Sequence, residues 1–361
     1  MLGRIIRRVD KIIYDRPTVP QNALGSGPFR QLKVGLVADY FTSACIAAEC
    51  RVRSLSPQNY KEVIHSWRPD LVFVESAFHG VGGEWRYELA RQPKYLRLGS
   101  PRAITGLVQL AQEKGIHTVF WNKDDGAFFD NFLEIARLFK YVFTTDNRCV
   151  PLYRKALSVG SVVDVLPMPY QPAFHNFTGF NFTKHAVCFM GSYYRHILEN
   201  RRKFLDMMFE ACSNTATPLH VFDRNSNRMS HFTEFRFPQK NPLTVHGQLP
   251  YAETASAYKQ YALSLNVNSV TNSETMCSRR LLEILACGGI CITNSSPAIE
   301  KIFGRYCHVV ESLEQSQDLL ERLRFGPSKK DKDKAEAGAK YVRQYHTWQC
   351  RLEQLANVVN F

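Results

Sequence analysis

The chain has 361 residues, more than one hydrophobic core usually serves, so two domains are expected. Apolar residues make up 45% of it, which suits a packed globular protein, and no apolar run is long enough to predict a membrane-spanning helix. Lys and Arg total 46 against 33 Asp and Glu, a net charge of +13, which points to an anionic partner: nucleotide phosphates, nucleic acid or an acidic membrane surface.

Residues 1–32 read as a basic N-terminal helix followed by a linker. "MLGRIIRRVDKIIYDR" places Leu2, Ile5, Ile6, Val9, Ile12 and Ile13 on one face and Arg4, Arg7, Arg8 and Lys11 towards the other. It has the charges of a signal peptide but no continuous apolar stretch behind them. Packing on its own protein and peripheral contact of residues 1–16 with an anionic membrane are equally good readings. "VPQNALGSGPFRQ" is turn-rich linker.

Over 33–170 short apolar runs alternate with helical ones. The strand-like runs are "KVGLVADYF" (33–41), "DLVFVES" (70–76), "HTVFWN" (117–122) and "YVFTTD" (141–146); "ITGLVQLAQEKG" and "FFDNFLEIARLF" are helical. This alternation predicts a parallel sheet covered by helices, with ligands at the carboxyl ends of the strands. The polar residues that close these strands are therefore site candidates: Asp39, Glu75, Asn122, Asp124, Asp125 and Asp146. Asp124 and Asp125 look like a paired-carboxylate site, although adjacent residues seldom face one point.

The proline-bearing stretch 166–184 reads as the crossing to a second domain over 171–340. There "AVCFMGS" (186–192), "LHVFDRN" (219–225), "LTVHGQLPYAE" (243–253), "YALSLNVNS" (261–269) and "GICITN" (289–294) read as strands. A long basic helix is expected directly after the first of them, in "YRHILENRRKFLDMMFEAC". "PSKKDKDKAEAG" (327–338) reads as a solvated connector. A terminal helix, "AKYVRQYHTWQCRLEQLANVV", follows, with 341–361 as a crossing segment. Ten cysteines without a C-x-x-C pair suggest buried thiols in a reducing cytosol. The expected location is the cytoplasm, at the inner face of the cytoplasmic membrane.

Two motifs carry chemistry. In "FMGSYYR", Gly191 would let backbone N–H groups approach a phosphate, with Arg195, Arg201 and Arg202 following. The plain alternatives are an ordinary turn and a solvated helix face. In "SETMCSRRLLEILACGG", Ser278 is placed to cap a helix that starts with Arg279 and Arg280. Cations at the positive end of a helix dipole are unfavourable unless an anion sits there. Glu283 then either pairs with an arginine along the helix or accepts hydrogen bonds from a ribose.

The segment "SRRLLEILACGGICITNSSPAIEKIFG" resembles the donor-binding helix of GT-B glycosyltransferases, and within them the CgeB-like group of the retaining-type group 1 superfamily. "DLVFVESAFHGVGGEW", "FWNKDDGAFFDNF", "YVFTTDNRCVPLYRKAL", "LPMPYQP" followed by "HN", "CFMGSYYR", "VFDRN", "HGQLPYAE", "YALSLNVNSV" and "YHTWQCR" are similar in the same order, over roughly residues 70–350. The resemblance implies an α/β GT-B fold: two Rossmann-like domains facing across a cleft, with a C-terminal helix crossing back. It implies transfer of a sugar from a nucleotide donor, expected to be a UDP-sugar, to a surface-glycan or lipid-linked acceptor, with retention and without a metal. No cofactor and no nucleic acid are expected.

By the same resemblance Gly191, Ser192, Arg195, Asp223, Arg224, Gly247, Leu249, Tyr251, Ser278, Arg279, Arg280 and Glu283 would bind the donor. Glu283 matches the ribose-binding glutamate, and Gly247 to Tyr251 the nucleobase edge. Asp39, Tyr40, Glu75, Trp121 and Asp125 would meet the acceptor. Glu75, His79, Asp124, Arg195 and Glu274 are the catalytic candidates. In the wider family two glutamates are separated by seven residues. Here Thr275 stands eight positions before Glu283, with Glu274 one place off register. Two other functions fit the residues: a non-catalytic binder of nucleic acid or anionic glycan, drawing on the net charge, and a nucleotide-sugar epimerase.

Overall fold

The computed structural model describes residues 27–91, 102–239 and 243–361. The expected N-terminal helix over 1–16 lies outside them. The chain forms two compact units: one of residues up to Met168 together with Trp348–Phe361, the other of Pro169–Thr347. No helix among the described residues is long and apolar enough to cross a membrane.

The first unit is built on strands β1 (Lys33–Val37), β2 (Arg51–Ser54), β3 (Leu71–Glu75), β4 (His117–Asn122), β5 (Tyr141–Thr144) and β6 (Val162–Val165), in the order β2-β1-β3-β4-β5-β6. All neighbours are parallel. Every residue of β3 is buried, because helices cover both faces of the sheet. Val72, Val74, Phe120 and Val142 point to one face and meet Ile104 and Leu107 of helix Arg102–Glu113 and Phe132 and Ile135 of helix Phe129–Ala136. Phe73 and Trp121 point to the other face and meet Trp348 of helix Trp348–Val359, with ring centroids 6.3 and 5.5 Å away. Arg351 Nε and Gln354 Nε2 of that helix donate to Pro167 O and Val165 O at 2.8 and 2.7 Å.

The second unit repeats the plan with β7 (Lys184–Gly191), β8 (Leu219–Asp223), β9 (Leu243–His246), β10 (Tyr261–Leu265), β11 (Cys291–Thr293) and β12 (His308–Val309). The order is β12-β11-β10-β7-β8-β9, again all parallel. Val187, Phe189, Val221 and Leu265 form its core with Leu205 and Met208 of helix Glu199–Asn214.

Three sequence expectations change. The basic helix does not follow β7 directly: it starts at Glu199, after a loop in which Leu198 takes a left-handed backbone. The expected connector 327–338 is mostly the start of helix Lys329–Tyr345. Ser328 and Asp331 form a reciprocal capping box there, and Ala335, Ala339 and Val342 turn one face inward at helical spacing. The terminal helix is two helices, broken at His346 and Thr347, where Tyr170 N–H takes the carbonyl of His346 at 2.9 Å.

Candidate active site

In an open parallel sheet the crevice for a ligand lies beyond the carboxyl ends of the strands, where the strand order reverses. In the second unit that point is between β7 and β10. Gly191 ends β7, and Asn266, Val267 and Asn268 follow β10.

Arg201, near the start of helix Glu199–Asn214, spans this crevice. Its Nη1 donates to Val267 O at 3.1 Å and Ser269 Oγ at 3.4 Å, and its Nη2 to Ser192 O at 3.2 Å. It is 6% exposed, and its bonds to protein reach only carbonyl and hydroxyl oxygens. Arg280 approaches from helix Arg279–Ala286. Its Nε donates to Met190 O at 2.5 Å, and its buried Nη1 has no hydrogen-bond partner. Both guanidinium groups lie over the Phe189 ring, at 5.9 Å for Arg201 and 4.8 Å for Arg280. A Cβ on Gly191 would meet Arg280 Nη2 and the Phe189 ring edge at 2.7 Å, so glycine is what lets that side chain come so close. Arg224 is exposed, and its N–H donates to Gly191 O at 3.1 Å.

The charge is in excess. Burial, and then the repulsion of Arg280, bring the Arg201 pKa down to about 9; burial also lowers that of Arg280. Burial would raise the Tyr194 phenol, but Arg224 and Arg201 outweigh it and lower it. A buried cation without a counter-ion is costly, so the arrangement is complementary to an anion.

The remaining donor candidates lie in the same unit. Ser192 and Asp223 are buried and joined through Asn225, whose N–H donates to Asp223 Oδ1 at 2.8 Å and whose Nδ2 donates to Ser192 Oγ at the same distance. Asp223 Oδ2 also holds His231 Nε2 at 2.7 Å. Ser278 stands at the N-cap of helix Arg279–Ala286, but its side chain makes no cap bond; its N–H goes to Asn268 Oδ1 at 3.0 Å. Asn268 belongs to a buried net with Asn266, Thr293 and Asn294 that ties β10, β11 and this helix together. Glu283 is 5% exposed and pairs with Arg279 Nε at 2.9 Å, while Tyr251 O–H donates to it at 3.1 Å. Gly247 is exposed and Leu249 half-buried, at the start of the turn into helix Tyr251–Gln260.

Two expected residues stand apart. Arg195 is exposed, with its Nη1 at 3.4 Å from Phe232 O, because the loop before Glu199 carries it outward. Glu274 is a surface residue paired with Lys301 at 3.0 Å, both more than half exposed.

In the first unit the order reverses between β1 and β3. Glu75 closes β3 with no exposure, and Lys123 follows β4. Lys123 Nζ pairs with Glu75 Oε1 at 2.9 Å and with Asp39 Oδ2. Asp39 also caps helix Tyr40–Ala47 by accepting from Thr42 N–H at 2.9 Å. Asp124 Oδ2 accepts from Ser76 Oγ at 2.9 Å. Burial, and then the charge of Asp39, push Glu75 up to about 7. Burial disfavours the Lys123 cation, but Asp39, Glu75 and Asp124 outweigh it and raise its pKa. His79 and Tyr40 are half-buried beside this cluster in sequence.

Two acceptor candidates are corrected. Trp121 is 1% exposed, with its Nε1–H on Leu166 O at 3.0 Å, because its place in β4 turns it under helix Trp348–Val359. Asp125 is fully buried and accepts from Asn122 Nδ2 at 2.7 Å and Tyr153 O–H at 3.1 Å; burial raises its pKa to about 8. Asp146 caps its own turn and holds Arg148 at 2.8 Å. Sequence reasoning offered Arg201 with Arg195 and Arg202 as arginines behind the Gly191 loop, for an anion or a solvated helix face, without singling it out, and it passed over Lys123. The signal for Lys123 was its place at the end of β4, between Asn122 and two aspartates.

Residues 201–357 match the glycosyl transferase-like family. Those residues are a glycosyltransferase domain. No curated protein matches the chain in sequence. Its fold is GT-B, shared with distant relatives of known structure. Anabaena HepE, solved with UDP and glucose, is 12% identical, with 99% of this chain and 96% of that one covered and a TM-score of 0.57. A sucrose-phosphate synthase from Thermosynechococcus elongatus is 8% identical, covering 91% and 98%, with a TM-score of 0.53. A DNA-modifying β-glucosyltransferase, studied with and without uridine diphosphoglucose, is 11% identical, covering 91% and 99%, with a TM-score of 0.57.

Proposed function

We propose that this glycosyltransferase, of the CgeB-like group, takes a sugar from a UDP-sugar bound in the second unit. It passes the sugar to a surface-glycan or lipid-linked acceptor in the cytoplasm, with retention and without a metal. The observation that carries this reading is Arg201, a buried guanidinium bonded to carbonyl and hydroxyl oxygens and placed beside the unpartnered Nη1 of Arg280. A diphosphate supplies the missing negative charge, and guanidinium groups match its oxygens in geometry. UDP is favoured because HepE was captured with UDP and glucose.

In the reaction the bond from the anomeric carbon to the diphosphate breaks, and the acceptor oxygen forms the new one. Negative charge grows on the leaving diphosphate, where Arg201, Arg280 and Arg224 stabilise it; protein cations do here what a metal does elsewhere. With retention, the departing diphosphate oxygen takes the acceptor's proton and no strong base is needed. Glu283 is the ribose acceptor, released in part from Arg279 when the nucleotide binds. The first unit's Asp39, Glu75 and Asp124 offer carboxylate oxygens to acceptor hydroxyls.

Two measurements test this. Thermal-shift and hydrolysis screens across nucleotide-sugars should select UDP-linked donors, and NMR of the product should show the donor's anomeric configuration; an inverted product overturns retention. Calorimetry on Glu283→Ala should show UDP affinity down by about tenfold, in line with the loss of one charge-assisted hydrogen bond. Unchanged affinity removes Glu283 from the donor site.

A further inference from the structure

Two loops at the carboxyl ends of β7 and β8 are bound to each other and carry side chains that the sugar-transfer site does not use. Arg195 N–H donates to Glu234 O at 3.0 Å, and His196 Nε2 lies 3.2 Å from Thr233 O. The Tyr194 and Phe235 rings meet edge to face at 5.5 Å. On this joined rim, large apolar side chains stand in solvent: Met229 is 77% exposed, Phe232 71% and Ile197 50%. Single exposed apolar residues are common, but three on two mutually fastened loops form a patch that calls for a cover.

The charge around the patch is one-sided. Arg195, Arg228 and Arg236 are all exposed on the same two loops, and Glu234 is the sole acid in residues 193–198 and 225–236. Among the described residues none of these three arginines is ion-paired with a carboxylate. Arg236 and Arg228 lie over the Phe232 and Phe235 rings, at 6.0 and 5.6 Å. Apolar tips fringed by unpaired arginines match a surface whose outer layer is anionic and whose next layer is hydrocarbon. A nucleic acid would use the charge but leave Met229 and Ile197 in water. A protein partner would not require three unpaired cations.

We propose that this rim, Ile197 with Met229 and Phe232 and their arginine fringe, docks on an anionic lipid bilayer. Phe232 and Met229 enter the boundary between headgroups and acyl chains, and Arg195, Arg228 and Arg236 sit among lipid phosphates. The surface is made of residues other than 1–16 and does not rest on the nature of the donor.

The test uses the full chain in sedimentation with large vesicles, either pure phosphatidylcholine or phosphatidylcholine with about 30% phosphatidylglycerol as a probe of the anionic surface potential that attracts basic residues. The expected result is binding to the anionic vesicles, weakening as salt rises, and little to the neutral ones. Met229→Ser/Phe232→Ser should lower the anionic-vesicle partition by about tenfold or more, and Arg236→Gln by about threefold to fivefold. UDP affinity by calorimetry should stay within about twofold in both variants, which shows that the fold and donor site survive. No binding of the wild-type chain, or equal binding by the double variant, overturns the proposal; equal binding would assign membrane contact to another segment. Concentration-dependent self-association that the double variant abolishes, without vesicle binding, overturns it in favour of a second copy of the chain.

Discussion

The two units share one plan, a six-stranded parallel sheet with its order reversed beside the first strand, yet their switch points carry opposite charge. In the second unit, Arg201, Arg280 and Arg224 gather with no carboxylate among the bonds of Arg201. In the first, Asp39, Glu75 and Asp124 gather around Lys123. The first cluster closes part of its charge on itself; the second leaves it open. Identical topology therefore sets where a ligand goes, and the side chains at the strand ends set its sign. An open cationic end is complementary to an anion, and an acidic end compensated in part by its own lysine offers oxygens to hydroxyl donors.

The largest expected effect tests that self-closure. Lys123→Met strips the buried Glu75 of its cation and should destabilise the protein by about 3–5 kcal/mol in urea denaturation. Lys123→Met/Glu75→Gln should recover much of that loss; no recovery would mean Lys123 acts through packing. Next, Arg280→Ala should weaken UDP binding by about 30-fold or more, with circular dichroism unchanged, because a charge-assisted hydrogen bond contributes about 1.5–3 kcal/mol. An unaffected affinity would make the open charge of the second unit incidental.

The third concerns Asp125. Its folded pKa is raised to about 8, so the folded state keeps a proton that the unfolded state loses near pH 4. This stability is fully present below about pH 4 and is lost as pH rises through about 8. Asp125→Asn keeps an oxygen for Asn122 and Tyr153 but does not titrate. The wild type should lose about 2 kcal/mol more than the variant between pH 6 and pH 8. Equal slopes would show an ionised Asp125 at neutral pH. The smallest effect is a control in the cationic unit: Ser328→Ala removes half of a capping box and should cost about 1 kcal/mol without moving UDP affinity.

Much of the sheet scaffold was legible. "HTVFWN" is β4 to the residue, because a run of buried β-branched and aromatic residues between polar ends has few other readings. β2, β6 and β12 escaped: "RVRS" buries only Val52 fully, and β12 has two residues, so neither shows a period. Lys329–Tyr345 was hidden by its charge, since its inward face is mostly alanine and glycine. At the site, the Gly191 and Arg280 pair was readable as two motifs, but their contact was not. Arg201 looked like its exposed neighbours because burial of a guanidinium depends on the carbonyls of Ser192 and Val267, just beyond β7 and β10, that the helix sequence does not contain.

The return of Trp348–Val359 to the first unit has a consequence for the order of events on the ribosome. The second unit is one uninterrupted segment, and its last residue leaves the exit tunnel before Trp348 does. The first unit, though made first, waits with Phe73 and Trp121 uncovered on one sheet face until that helix arrives. Domains form as their chain becomes available, so the second should finish first and the earlier-made one should be the stage exposed to aggregation and chaperones.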